Sequence, residues 1–300
     1  MLIEADESQK QARDRLTASV WGKGLTTETF LAREAALRAH PFAAKNMRTW
    51  LWLSPKAAPD SVLSSCETFE VRAFRDGRVG RAFIVASVFT EPSLRGKGHA
   101  VAMLEALSKQ LSAEPGAIAV VLFSEVGASL YRRAGFTLID THDVIFDAQA
   151  GDVSNVQSVE SVSGFFAPGH GVRLELSQAQ AEWHLERERF YAKALHRAPP
   201  PAHRGRLGES ELCVVASFQT NELHVLWYRF NAPDDVEPLV RWAASEAKRG
   251  GFARVRFWET APFQLPSGAL RIPRLDELAM IRPLDGGSSD WSGILRGSWA

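Results

Sequence analysis

The sequence is sparing in cysteine, in net charge and in long apolar runs, and each absence removes a class of protein. Its two cysteines, Cys66 and Cys213, stand far apart, each inside a run that reads as a strand. That is the pattern of buried thiols in a reducing compartment, not of a disulfide framework or a zinc site, and no metal is expected. Thirty-five basic side chains balance thirty-five acidic ones. The molecule as a whole therefore lacks the field that gathers nucleic acid or an anionic membrane, and neither is expected as a partner. No apolar run approaches the ~20 residues that span a bilayer. The start, MLIEADESQKQ, is acidic and lacks the basic-then-apolar order of an export signal. A cytoplasmic protein is predicted.

What is present is the composition of a chain that buries a core, 45 % hydrophobic and 23 % charged residues in 300, and that length suits two ordinary domains. The first is expected over residues 1–150. LTTETFLAREAALRAH has Thr26 as a cap, Glu28 in the first turn and an apolar side of Phe30, Leu31, Ala35 and Leu37, the marks of a helix. RTWLWLS, VLSSCETFEVRAF and GRAFIVASVFT read as three antiparallel strands, the last two joined by a tight hairpin at Asp76-Gly77. Ala100, Met103, Leu104, Leu107 and Leu111 then recur at helical spacing until Glu-Pro-Gly at residues 114–116, and AIAVVLF follows as a wholly apolar strand. SEVGASLYRRAGF places a short helix before Gly135, and FTLIDTHDVIF returns as a last strand or pair.

Residues 151–171 are expected to be a linker, because Gly, Ser, Val and Asp predominate there without a period. Over 172–300 a capped helix (Ser177 with Gln180, ended by Pro199 to Pro201) is followed by strand, strand, helix and strand, an order that imitates the centre of the first half. Trp183, Trp227, Tyr228, Trp242 and Trp258 read mainly as core, with one or two available to wall a cleft between the domains. One difference between the halves is chemical. Where the first has EPSLRGKGHA between strand and helix, the second has NAPDDVEP, with acids and no glycine.

A helix start leaves N–H groups unpaired and the positive end of the dipole outward, a ready anion site. Gly96 and Gly98 let the backbone approach a ligand, and Arg95, Lys97 and His99 add charge. A phosphate or diphosphate is the natural guest, although the spacing matches neither the dinucleotide fingerprint nor the nucleotide-triphosphate loop.

RGKGHA resembles the Arg/Gln-x-x-Gly-x-Gly/Ala turn of the GCN5-related N-acetyltransferases, and SEVGASLYRRAGF resembles their second signature, a short helix ending in Tyr-x-x-x-Gly-Phe. The resemblance implies an α/β fold with a mixed, mostly antiparallel sheet flanked by helices, and a C-terminal domain that is a degenerate copy of it. It implies that backbone amides from Arg95 to Ala100, including Gly96, Lys97, Gly98 and His99, cradle the diphosphate of acetyl-CoA. Val88 and Thr90 match the positions that hydrogen-bond the pantetheine arm and thioester. Several segments, among them WGKGLTTETFLAREAALRAH, LSSCETFEVRAF and RVRFWET, are similar to the fungal lysine N6-acetyltransferases of lysine catabolism. Where the superfamily usually has an Asn before the tyrosine helix, this sequence has Ser124.

The resemblance implies acetyl transfer from acetyl-CoA to a small-molecule primary amine, with the ε-amine of L-lysine as the sharpest expectation. Another amine (a polyamine, an aminoglycoside-like compound or a protein lysine) and a noncatalytic acyl-CoA-binding module stand as alternatives. Tyr131 is expected to donate its proton, or a hydrogen bond, to the departing thiolate, because a phenol of reference pKa ~10 keeps its proton at neutral pH, above a thiol of ~8.5. Glu125, at the end of the apolar strand, is the candidate base. Glu67 is expected to reach the same face and bind the amine, and both carboxylates have an electrostatic role open to them as well.

Overall fold

The apolar runs assemble into two mixed sheets, each built round a parallel pair of strands joined by an amphipathic helix. The structure is a computed structural model and describes residues 1–54, 61–151, 153–161, 164–166, 169–259 and 268–299. Of the expected linker, residues 152, 162, 163, 167 and 168 lie outside the described residues.

In the first sheet the strand order is Leu2–Glu4, Met47–Leu53, Val62–Arg75, Arg78–Phe89, Ala117–Ser124, Leu278–Pro283 and Thr137–Leu138. Asp76 and Gly77 both take positive φ, 48° and 83°, and turn the Val62–Arg75 and Arg78–Phe89 hairpin as their sequence requires. Arg78–Phe89 and Ala117–Ser124 run parallel, linked through the helix His99–Ser112. Met103, Leu104, Leu107 and Leu111 of that helix are fully buried with Phe83, Val120 and Leu122 of the sheet. Each such side chain contributes roughly 1.5–3 kcal/mol, so the helix start is held firmly against the strand tips.

The second sheet repeats the plan. Its order is Leu270–Pro273, His142–Asp147, Arg254–Glu259, Glu222–Arg229, Ser210–Ser217, Arg204–Leu207 and Gln157–Ser158. Glu222–Arg229 and Arg254–Glu259 are the parallel pair, and the linking helix Val236–Arg249 buries Leu239, Val240, Trp242 and Ala243.

The halves exchange strands. His142–Asp147, which the sequence places at the end of the first unit, lies antiparallel to Arg254–Glu259 in the second sheet. Leu278–Pro283 lies antiparallel to Ala117–Ser124 in the first, between it and Thr137–Leu138. The apolar pattern that identifies a strand is silent about its partner, and the two swapped strands have interchangeable faces.

Three further differences have physical causes. A helix, Glu7–Trp21, occupies the polar start; Asp6 and Gln9 form a capping box that an apolar-period search passes over. Residues in the expected linker supply two short strands, Gln157–Ser158 and Phe165–Phe166. Ser177 caps its helix as expected, but the Gln180 side chain does not close a box: its amide donates to Gly297 O at 2.6 Å. Both cysteines are free and buried, and burial pushes each thiol up to about 12, which leaves them unreactive.

Candidate active site

The parallel pair of the first sheet opens like a V. Its ladder runs from Arg81 to Val85 on one strand and from Ala117 to Leu122 on the other, then stops, while the strands continue to Phe89 and Ser124. The divergence starts at a bulge. Ser65 pairs with Phe89 and Glu67 with Ala86, so Ser87 and Val88 oppose the single residue Cys66, and Ser87 takes φ 52°.

A buried arginine clamps that bulge. Arg13, on the N-terminal helix, donates from Nη2 to Ser87 O at 2.9 Å, from Nη1 to Glu67 Oε1 at 2.7 Å and from Nε to Ser65 Oγ at 3.2 Å. Burial raises the Glu67 carboxyl pKa and the Arg13 charge opposes the rise. Asp14, Glu34 and Glu67 have oxygens within 4.8 Å of one another. Each is met by an arginine, Arg38, Arg33 and Arg13 respectively, so the group is a salt-bridge network.

Above the V lies the glycine turn. Gly96 and Gly98 have φ of 76° and 81°, and a Cβ at either would meet no protein atom within 4 Å. Gly98 is the N-cap of His99–Ser112, and no side chain caps that helix. Its first amides are therefore open on the concave side, in a region strained for any residue but glycine. The helices Glu7–Trp21, Thr27–Ala39 and Gln178–Ala194 are instead closed by Asp6, Thr26 and Ser177, while Val236–Arg249 also lacks a side-chain cap but starts behind Asp234 and Asp235 with no glycine.

V and turn face one cavity of about 1190 Å³ that reaches across to the second half. It is lined by Val88, Thr90, Arg95, Gly96, Gly98, His99 and Ala100, and by Glu67, Glu125 and Tyr131. Lys97 is not on its wall; the ammonium donates to Ser93 O at 3.2 Å on the exposed side of the turn. Thr90 Oγ1 is 2.9 Å from Ser64 Oγ, and Arg95 Nε donates to Thr90 O at 3.0 Å, which ties the strand tip to the turn.

Tyr131 sits on the helix Ser129–Arg133, terminated by Gly135 at φ 82°. The ring is buried, 6 % exposed. Burial, reinforced by Cys66 and Glu125, pushes the phenol well above its ordinary pKa, so it is protonated throughout the neutral range. Ser124 Oγ donates to Gly127 O at 2.6 Å and accepts from Val126 N at 3.3 Å, bending the chain between strand and helix. Glu125 lies in that bend. Its carboxyl pKa is raised by partial burial and by the charges of Glu277 and Asp276.

The second half contributes residues that sequence reasoning missed. Glu277 binds the Arg296 guanidinium through both oxygens, and His224, buried, faces Glu222 at 3.2 Å. Of the five aromatic candidates, Trp183 lines the cavity, as do Trp21 and Trp299, while Trp227, Trp242 and Trp258, at 1 % exposure each, and Tyr228, at 8 %, are core. Arg13 had a signal in the Asp6 capping box that starts its helix. Glu277 and Arg296 had none, because they follow the chain across the exchange, and Arg187 had none, because it reaches the cavity only when its helix packs on Thr27–Ala39 and Pro41–Asn46.

No family model matches the sequence, and no curated protein matches it. Solved structures do match in fold. A GCN5-related N-acetyltransferase from Kribbella flavida aligns with 95 % of this chain and 71 % of its own, with a TM-score of 0.55 at 16 % identity. One from Anabaena variabilis covers 95 % and 73 % at a TM-score of 0.52 and 13 % identity. Eis1 from Mycobacterium abscessus covers 95 % and 73 % at 0.56 and 10 %. The chain has the GCN5-related N-acetyltransferase fold, with two units of that plan. None of these likenesses singles out the fungal lysine subtype. Among the described residues no helix is long and apolar enough to cross a membrane.

Proposed function

We propose that the chain is an acetyl-CoA-dependent N-acetyltransferase acting on a primary amine. The observation that carries this reading is the convergence, in one cavity, of a splayed strand pair, an uncapped helix start behind two left-handed glycines, and a buried protonated tyrosine. The open space at Gly96 and Gly98 fits a diphosphate.

Acetyl-CoA, when bound, supplies an activated acyl carbon and a thiolate leaving group. Main-chain amides from Arg95 to Ala100 hold its diphosphate, chiefly through backbone N–H groups, with Arg95 and Lys97 adding charge. The tip Val88–Thr90, freed from its neighbour by the bulge, holds the pantetheine arm and orients the thioester carbonyl. Those donors are fixed before the reaction and need no reorganisation. Tyr131 Oη keeps a proton to give to the sulfur. The amine must lose one: an ammonium of reference pKa ~10.4 costs about 4.6 kcal/mol to neutralise at pH 7. Glu125 is the carboxylate placed to accept it, directly or through water, with its basicity raised by Glu277 and Asp276. Glu67, tied to Arg13, contributes negative charge to the amine side and holds the bulge in place.

The test is incubation with labelled acetyl-CoA and a panel of amines. L-lysine heads it on the sequence resemblance, followed by polyamines, an aminoglycoside and a lysine peptide. Transfer to at least one, lost in Tyr131→Phe, is the expected result. Coenzyme binding with no transfer to any would point to the noncatalytic module.

A further inference from the structure

The cavity wall carries several arginines whose charges are already met. Arg13 faces Glu67 at 2.7 Å and Arg256 faces Asp143 at 2.7 Å; Arg33 pairs with Glu34, Arg38 with Asp14 and Arg296 with Glu277. Arg187 differs. It lies on the helix Gln178–Ala194, lines the same cavity and is half-buried, and among the described residues no carboxylate pairs with it and no acceptor takes its N–H groups. Its guanidinium rests 4.5 Å from the Trp299 ring. Such stacking fixes the plane and leaves the N–H edge for a partner in that plane.

The surroundings ask for an anion there. Burial disfavours the cation, and Arg33 and Arg296 add like charge, which lower its pKa against the opposing influence of Tyr191 and Glu34. A guanidinium nonetheless stays charged in proteins, so the cost of the unpaired cation is relieved only by water or a bound anion. The position is close to the chemistry: the Arg187 charge is felt at Glu125. The cavity wall thus carries Glu67 and Glu125 together with a fork-shaped cation that no carboxylate pairs among the described residues.

We propose that Arg187 receives a carboxylate of the acceptor, and that the acceptor class is an amine bearing a carboxylate, of the amino-acid type. This rests on the proposed acyl transfer for the amine end alone. A guanidinium and a carboxylate make two parallel hydrogen bonds, and no neutral group or simple diamine can replace them.

The experiment is calorimetric titration of the full chain, without acetyl-CoA, with matched pairs that differ only by the carboxylate: L-lysine and cadaverine, L-ornithine and putrescine, 4-aminobutyrate and propylamine. In at least one pair the carboxylate-bearing member should bind about tenfold or more tightly, the scale of a charged hydrogen bond in a desolvated site. Arg187→Gln should bring that ratio to within about twofold, and Arg187→Lys should keep part of it. Equal or undetectable affinity for both members of every pair in the wild type overturns the proposal, and so does a preference that survives Arg187→Gln. Because binding is read without coenzyme, a failure of acetyl transfer counts against the proposed function while the binding ratio still decides this inference.

Discussion

In the first half, the strand Arg78–Phe89 reaches its helix through a turn with two left-handed glycines, and the V beyond Val85 opens onto the cavity. In the second, the strand Glu222–Arg229 reaches the helix Val236–Arg249 through Asp234 and Asp235, with Glu237 in the first turn. Its parallel ladder also stops early, after His224 and Arg256. That second opening is filled by the chain's own C-terminal turn. Gly297 lies so near the strand that a Cβ would meet Leu226 O at 3.1 Å, Arg296 stands 5.2 Å from the Trp258 ring of the other strand, and Gln180 and His184 both reach Gly297 O. One plan, used twice, has an open glycine turn before its helix once. The other copy has carboxylates at the corresponding turn, and protein fills its opening.

The comparison breaks most visibly at Tyr131. Tyr131→Phe should lower kcat about a hundredfold with the acetyl-CoA KM little changed, as steady-state kinetics would register, because the hydroxyl acts on the leaving sulfur alone. Loss of KM with kcat preserved would instead make it a binding residue. Next is Gly98→Val, expected to raise the acetyl-CoA KM about tenfold or more: the branched Cβ enters the cradle, and φ 81° strains any L residue by roughly 1–2 kcal/mol.

Acid should separate the halves too. Burial lowers the His224 pKa to about 4, helped by Arg296 and opposed by Glu222. The unfolded chain then binds that proton first, from the ordinary histidine value of 6.5 downward, so native stability is lost as pH falls from 6.5 towards 4 and is intact above. This one group should account for about 1 kcal/mol between pH 6.5 and 5.5. Denaturant melts at the two pH values should show the loss in the wild type and a smaller one in His224→Gln.

Smaller effects sharpen the contrast. Lys97→Ala should weaken coenzyme A by about two- to fivefold in calorimetry, since the side chain is exposed and most of the grip is main-chain. Asp234→Ala, at the corresponding turn of the second unit, should leave that affinity within about twofold, because no diphosphate approaches it.

Much of this was legible in the residues. Gly96 and Gly98 beside basic residues, the helical spacing of Met103 to Leu111, and Tyr131 four residues before Gly135 each encode a local geometry, and each appears where its spacing put it. What spacing could not carry was partnership across the fold. The pattern of HDVIF marks a buried strand but contains nothing that chooses the second sheet over the first, and Arg187 reaches the cavity only through the packing of its helix on Thr27–Ala39 and Pro41–Asn46. The bulge was equally hidden, since it is fixed by Arg13 on a helix whose apolar side is weak and whose cap alone announced it.

The most direct test is a crystal structure with coenzyme A bound. The diphosphate should lie against the main-chain N–H groups between Arg95 and Ala100, with the sulfur between the Val88–Thr90 tip and Tyr131. A diphosphate seated at the Asp234–Val236 turn, or on side chains elsewhere with the glycine turn empty, would contradict the division of labour between the two units.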